Sequence, residues 1–166
     1  MLKFSRILFV LILTFAVVTM AAPEKNVASA PASKSLVHWM PYDEALKTAQ
    51  DKPRLIFVDM YAEWCVPCRV MDKNVYGNPT VAALLNTRFY PVKLDTDSAD
   101  SIMCDGVKNT VRKCYNEVWE LSALPAFVLV APKGLSILTV TDSMNAEEMQ
   151  GLLLKFLQKE KEWMER

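Results

Sequence analysis

Two cysteines stand where the residue pattern changes from strand to helix, in the stretch Trp64-Cys65-Val66-Pro67-Cys68-Arg69. The run Leu55-Ile56-Phe57-Val58 ahead of them is short, apolar, partly β-branched and bounded by Pro53, which predicts a buried strand from Leu55 to Met60. Past Cys65, the positions Cys68, Met71 and Val75 recur at three and four residues, the spacing of a helix. A buried strand that hands over at once to a helix needs layers on both sides. The chain is therefore constrained to an α/β architecture before anything else is read.

The placement of the cysteines has chemical consequences. N–H groups in the first turn of a helix lack intrahelical partners, and aligned peptide dipoles put partial positive charge there. A thiolate at that point is stabilised, and cysteines so placed have pKa values of roughly 3.5–7.5, against about 8.5 for a free thiol. Cys65 is thus expected to ionise readily. Cys68, three residues on and on the same face, is near enough to close a disulfide with it. Pro67 is tolerated because a first-turn residue has no helical N–H bond to lose. Such a pair suits attack on another protein's disulfide, followed by release through the neighbouring thiol. A zinc half-site or an inert disulfide uses the same spacing, but the strand before and the helix after argue for redox chemistry.

The segment Val58-Asp59-Met60-Tyr61-Ala62-Glu63-Trp64-Cys65 resembles the active-site approach of the thioredoxin superfamily. More closely, the chain from about Trp39 onward resembles the C-terminal periplasmic domain of DsbD-type thiol:disulfide interchange proteins. Lys52-Pro53, Asn78-Pro79-Thr80-Val81, Ala123-Leu124-Pro125 and Met144-Asn145-Ala146-Glu147 carry that likeness. Val-Pro between the cysteines also occurs in periplasmic reductases of the TlpA type. The resemblance implies a thioredoxin fold, a central mixed β-sheet with helices on both faces. It implies that Cys65 attacks and Cys68 resolves, and that Asp59 is a buried acid with Lys93 nearby. It also implies a cis-proline at Pro125, with Leu124 before it free to pair with an extended substrate, and Trp64, Val66 and Pro67 shaping the docking surface. On residue chemistry alone Asp59 is either an edge residue facing water or a buried acid with a raised pKa, and Lys93 either its proton-relay partner or solvated.

Residues 1–22 have the layout of an export signal: Lys3 and Arg6, a twelve-residue apolar run from Ile7 to Val18 broken by Thr14, then small residues. That run is short for a bilayer span of about 20 residues, so cleavage is expected, with an uncleaved anchor as the alternative. Either way the positive-inside bias puts the remainder outside the cytoplasm. Residues 23–37, rich in Ala, Pro, Ser and Lys, read as a linker, and 38–166 as the folded domain. Nineteen basic and nineteen acidic residues balance, with no basic block, which argues against a nucleic-acid partner. His38, the one histidine, is assigned no catalysis.

Pro41 to Gln50 predicts a short helix, and Asn78-Pro79 an N-cap with proline at the first helical position. Asp95 to Gly106 reads as a polar loop or helix start, and Val107, Val111, Cys114, Val118 and Leu121 as one helical stripe. Ala126–Ala131 and Leu135–Val140 read as a hairpin, and Asn145-Ala146-Glu147-Glu148 as a capping box opening one final helix lined by Met149, Leu152, Leu153, Phe156, Leu157, Trp163 and Met164.

Cys104 and Cys114 fall in an apparent insertion around 98–113 relative to the thioredoxin pattern. In an oxidising compartment the default is a structural disulfide, which closes a loop of about ten residues and is worth roughly 2–3 kcal/mol. A second redox pair relaying electrons, two free thiols, or a four-cysteine zinc site stay open. The expected function is that of a periplasmic thiol:disulfide oxidoreductase, a reductase of protein disulfides working through Cys-Val-Pro-Cys. Its expected partners are protein thiols and disulfides and a membrane-associated electron donor, with no dissociable cofactor and no metal. An oxidase or isomerase of the same fold is the first alternative, a non-catalytic binding module or metallochaperone the second.

Overall fold

A computed structural model describes residues 35–164. The expected export signal and most of the expected linker lie outside the described residues. The chain runs α1 (Tyr42–Asp51), β1 (Ile56–Tyr61), α2 (Val66–Asn74), α3 (Pro79–Arg88), β2 (Tyr90–Asp95), β3 (Ser101–Cys104), β4 (Val107–Thr110), α4 (Val111–Lys113), a π-helical turn (Cys114–Val118), β5 (Ala126–Val130), β6 (Ser136–Thr141), α5 (Ala146–Gln158) and α6 (Glu160–Met164). No helix among the described residues is long and apolar enough to cross a membrane.

The four-stranded sheet has the order β2-β1-β5-β6. β1 pairs parallel with β2 and antiparallel with β5, so the sheet is mixed and β1, with Asp59, is interior. Its strand alternation sorts the core into two layers. Ile56, Val58 and Met60 face α1, with Ala126, Val128 and Val130 of β5 beside them. Leu55, Phe57, Phe127 and Leu129 face the opposite way, onto α2, α3, α5 and α6. Val37 is already buried in this second layer.

Local signals explain the elements. Asn78 caps α3 by accepting from the N–H groups of Thr80 and Val81, and Pro79 follows it at the first helical position. Asn145 and Glu148 close the capping box of α5. The C-terminal helix is two pieces rather than one. The Lys159 N–H reaches back to the Phe156 carbonyl, a tightened turn that re-aims the chain so that Trp163 packs edge-on to Phe156 at 6.1 Å.

The segment after β2 corrects the sequence reading. Ser101–Thr110 is neither a polar loop nor the start of a helix but a two-stranded hairpin, β3-β4, with Cys104 paired to Val107. Its turn residues Asp105 and Gly106 have φ of 47° and 80°, the left-handed pair that a two-residue hairpin with right-handed twist requires. Val107 is accordingly exposed instead of lying on a buried helical stripe. Helix begins only at Val111 and widens at once into the π-helical turn, where the Trp119 N–H reaches the Cys114 carbonyl at 2.8 Å. Ile102, Cys104, Val111, Cys114, Tyr115, Trp119 and Leu121 then cover the α1 face of the sheet. The Asp105 carboxylate accepts from the backbone N–H and the hydroxyl of Ser136, tying the hairpin tip to β6.

Candidate active site

β1 delivers the chain to the first turn of α2, and Cys65 is the N-cap residue, one position ahead of the helix proper. Its sulfur accepts from the Cys68 N–H at 3.2 Å, so one of the orphaned donors of the helix start points at the sulfur that would carry charge. Cys65 and Cys68 form a disulfide with Cα atoms 5.3 Å apart. Pro67 occupies the first turn, where it removes no helical hydrogen bond. Both cysteines are almost fully buried, packed with Ala62, Tyr61 and Leu124. Around them Trp64, Val66 and Val70 are half exposed or more, a raised apolar rim beside a covered sulfur pair.

The Leu124–Pro125 peptide bond is cis, and Leu124 packs against the two cysteines. Pro125 is buried and leads into β5. The chain just before it, Ser122-Ala123-Leu124, forms one side of a recess whose other sides are Trp64, Thr96 and Asp97, and Arg112, Tyr115 and Asn116 of the segment after β4.

Asp59 is a buried acid. It is 3% exposed and lies on the α2 face of β1, one alternation beyond Phe57. The Tyr76 hydroxyl donates to its Oδ1 at 2.9 Å, and Lys93, its partner in the β1–β2 register, holds Nζ 3.6 Å from Oδ2. Burial pushes the carboxyl up from 3.8 to about 6, against the Lys93 charge and the Tyr76 hydrogen bond, which pull it down. Burial and the Asp59 charge hold the Tyr76 phenol well above its ordinary value, so it stays a donor. Lys93 also pairs with Asp72 of α2, and its ammonium sits over the rings of Tyr61, Trp39 and Tyr76 at 4.7, 5.5 and 5.6 Å. Lys93 is thus neither solvated nor a partner to Asp59 alone. It bridges a buried and a half-exposed carboxylate inside an aromatic cage.

Sequence reasoning missed Tyr76, Asp72 and Trp39 in this cluster, because their convergence depends on how α2 lies on the sheet. It missed Asp97 and Arg112 as well. The Trp64 indole N–H donates to Asp97 Oδ2 at 2.8 Å, and Arg112 donates to Asp97 Oδ1 at 2.6 Å. A signal for Asp97 existed in the acidic run after β2, but nothing in the sequence pairs it with Trp64.

Cys104 and Cys114 form the second disulfide, Cα atoms 6.0 Å apart and both wholly buried. It joins the end of β3 to the π-helical turn, which fits a structural brace and denies a relay any direct access to solvent. The described residues contain no group of three or more His, Cys, Asp and Glu side chains placed to hold a metal. His38 is exposed, and only its backbone N–H is bonded, to Asn86.

A mixed sheet between helical layers, a disulfide capping a helix, a cis-proline against it and a buried acid behind it define a thiol–disulfide oxidoreductase of the thioredoxin superfamily, DsbD-like in type. The chain belongs to the family described as "Thioredox_DsbH: Protein of unknown function, DUF255", which matches residues 28–165. It is 39% identical over 57 residues to the thiol:disulfide interchange protein DsbD of Pseudomonas fluorescens, a match that covers 34% of this chain and 10% of that protein. The chain spans about a tenth of the length of the first curated relatives it matches. Among solved structures it resembles a thioredoxin from Thermus thermophilus, with a TM-score of 0.60, 25% identity, and 75% of this chain and 89% of that one covered. It also resembles a putative disulphide-isomerase from Bacteroides thetaiotaomicron, with a TM-score of 0.57, 26% identity, and 80% and 98% covered.

Proposed function

We propose that this protein reduces disulfides of other proteins outside the cytoplasm, with Cys65 as nucleophile and Cys68 as resolving thiol. The observation that carries the reading is the Cys65 sulfur held at the start of α2 by the Cys68 N–H, with the cis Leu124–Pro125 turn packed against it. In the reduced protein the Cys65 thiolate attacks one sulfur of the partner's disulfide. That bond breaks, a mixed disulfide forms, and the partner's other sulfur leaves as a thiolate and takes a proton. Cys68 then gives its proton to Asp59 and attacks the Cys65 sulfur. The mixed bond breaks, the Cys65–Cys68 disulfide closes, and the partner's second sulfur leaves as a thiolate that takes up a proton, so the partner gains two electrons and two protons.

A carboxyl with a pKa of about 6 suits the proton step, since a general base works best when its pKa lies near the operating pH. Tyr76 and Lys93 keep it oriented, and Asp72 links the cluster to the half-exposed surface. Trp64, Val66 and Pro67 form the exposed rim on which a partner docks, while the Leu124 backbone pairs with an extended partner segment. The cysteine pair carries the electrons itself, so no dissociable cofactor enters.

The direction of electron flow is inferred from the DsbD likeness, and so is a membrane-associated thiol donor that restores the dithiol. The export signal read in residues 1–22 supports a periplasmic location. Turbidity from insulin reduction tests the activity. The reduced wild type is expected to precipitate insulin B chain well above a Cys65→Ser control, and equal rates for the two would refute catalysis.

A further inference from the structure

The recess beside the disulfide has an unequal hydrogen-bond inventory. Asp97 is its anion, and each of its oxygens accepts one bond, one from the Trp64 indole and one from Arg112. Arg112 is its cation, and among the described residues Asp97 is the guanidinium's one partner, through a single nitrogen. A guanidinium carries five N–H donors in a planar fork, so most of its capacity is unspent. The Arg112 side chain is 61% exposed on a backbone that is fixed. Val111 and Cys114 on either side of it are buried, the Val111 N–H donates to the Asp100 carbonyl, and the Cys104–Cys114 disulfide and the Asp105–Ser136 contacts brace the hairpin that delivers it. The recess therefore holds a cation with most of its donors unspent, delivered on a fixed backbone a short reach from the sulfur rim.

We propose that Arg112 is a partner-recognition residue, through which the insertion selects protein segments that carry a carboxylate side chain next to the cysteine to be reduced. The guanidinium keeps one edge on Asp97, which holds the Trp64 ring in place, and offers the other to the partner's Asp or Glu. The inference deepens the reductase reading and rests on it for turnover, though binding can be read separately.

Two peptides identical except for Glu or Lys on both sides of one cysteine serve as probes. As disulfide-linked dimers they are mixed with stoichiometric reduced protein, which supplies the two electrons consumed. With the cysteine replaced by serine, they are titrated against the oxidised protein and followed by tryptophan fluorescence. At low ionic strength the Glu peptide is expected to react and bind on the order of fivefold better than the Lys peptide, the size of a favourable exposed pair set against an unfavourable one. Arg112→Ala should bring both ratios to near one, Arg112→Lys should keep part of the preference, and Arg112→Glu should invert it. A ratio near one in wild-type binding, or a preference that survives Arg112→Ala, overturns the proposal. Reduction of both peptides without preference removes Arg112's role and leaves the reductase reading intact. A Glu preference in binding without any reduction does the reverse.

Discussion

Asp59 is the residue at which chemistry and stability oppose each other. Its carboxyl titrates near 6 in the folded protein and near 3.8 when exposed, so the folded state holds its proton more tightly than the unfolded state does. Stability therefore falls as pH rises from about 3.8 to about 6, and the full cost, about 2–3 kcal/mol, is present at neutral pH. Asp59→Asn removes the charge and keeps the shape. Urea unfolding of the oxidised protein at pH 7 should show it more stable by about 2 kcal/mol, with the difference vanishing toward pH 4. Its second-order rate with a disulfide substrate should drop, most of all on the step that resolves the mixed disulfide. At Cys65, iodoacetamide should react faster at pH 7 than with a cysteine in an unstructured peptide, because the sulfur receives the Cys68 N–H at the helix start. The chain disclosed the thiol pair plainly, whereas for Asp59 residue chemistry left an exposed edge position and a buried acid both open and the family resemblance favoured the second. An acid amid Ile56, Phe57 and Val58 and a thiol pair at a strand-to-helix junction are conspicuous against their surroundings. The cage around Lys93 was not disclosed, because Trp39, Tyr61, Asp72 and Tyr76 come from separate segments that only the packing of α2 on β1 and β2 brings together.

Among the elements, the β3-β4 hairpin shows where periodicity misleads. Val107, Val111, Cys114, Val118 and Leu121 have helical spacing, and four of the five are buried or partly buried, yet the first lies in a strand. The stronger local signal was Asp105-Gly106, a dipeptide suited to a two-residue reversal. Gly106 sits at φ +80° with open space around it, so Gly106→Ala meets no clash and pays only the backbone penalty. Thermal unfolding should show a loss of about 1 kcal/mol. The Cys104–Cys114 disulfide closes a separation of 10 residues, and the paired Ala variant should lose about 2–3 kcal/mol while still cycling Cys65 and Cys68. Were the second pair a relay, that variant would lose turnover with the Cys65–Cys68 pair still intact. The π-helical turn after Cys114 had no counterpart in the sequence pattern: its i→i+5 bond brings Trp119, 3% exposed, under Cys114 where α-helical spacing placed Val118, which is only partly buried.

At the scale of the molecule, the order of the four main-sheet strands and the larger helices was legible because these carry their own punctuation: Pro53 before β1, Asn78-Pro79 at α3, Pro132-Lys133-Gly134 between β5 and β6, Asn145 at α5. What was not legible is how the β3-β4 hairpin and the turn after it close over the sheet and reach the active-site rim through Arg112 and Asp97, a contact between segments 15 residues apart. The resulting molecule has its sulfur pair between the sheet with its helices and a wall formed by Asp97, Arg112 and Tyr115. Direction of electron flow is the claim on which its role depends, and the equilibrium reduction potential of Cys65–Cys68 measures it most directly. Equilibration against glutathione or dithiothreitol, scored by alkylation and mass, should place the pair in the range of reductants, about −200 mV or lower. A value near about −120 mV, where strong oxidants lie, would contradict the account.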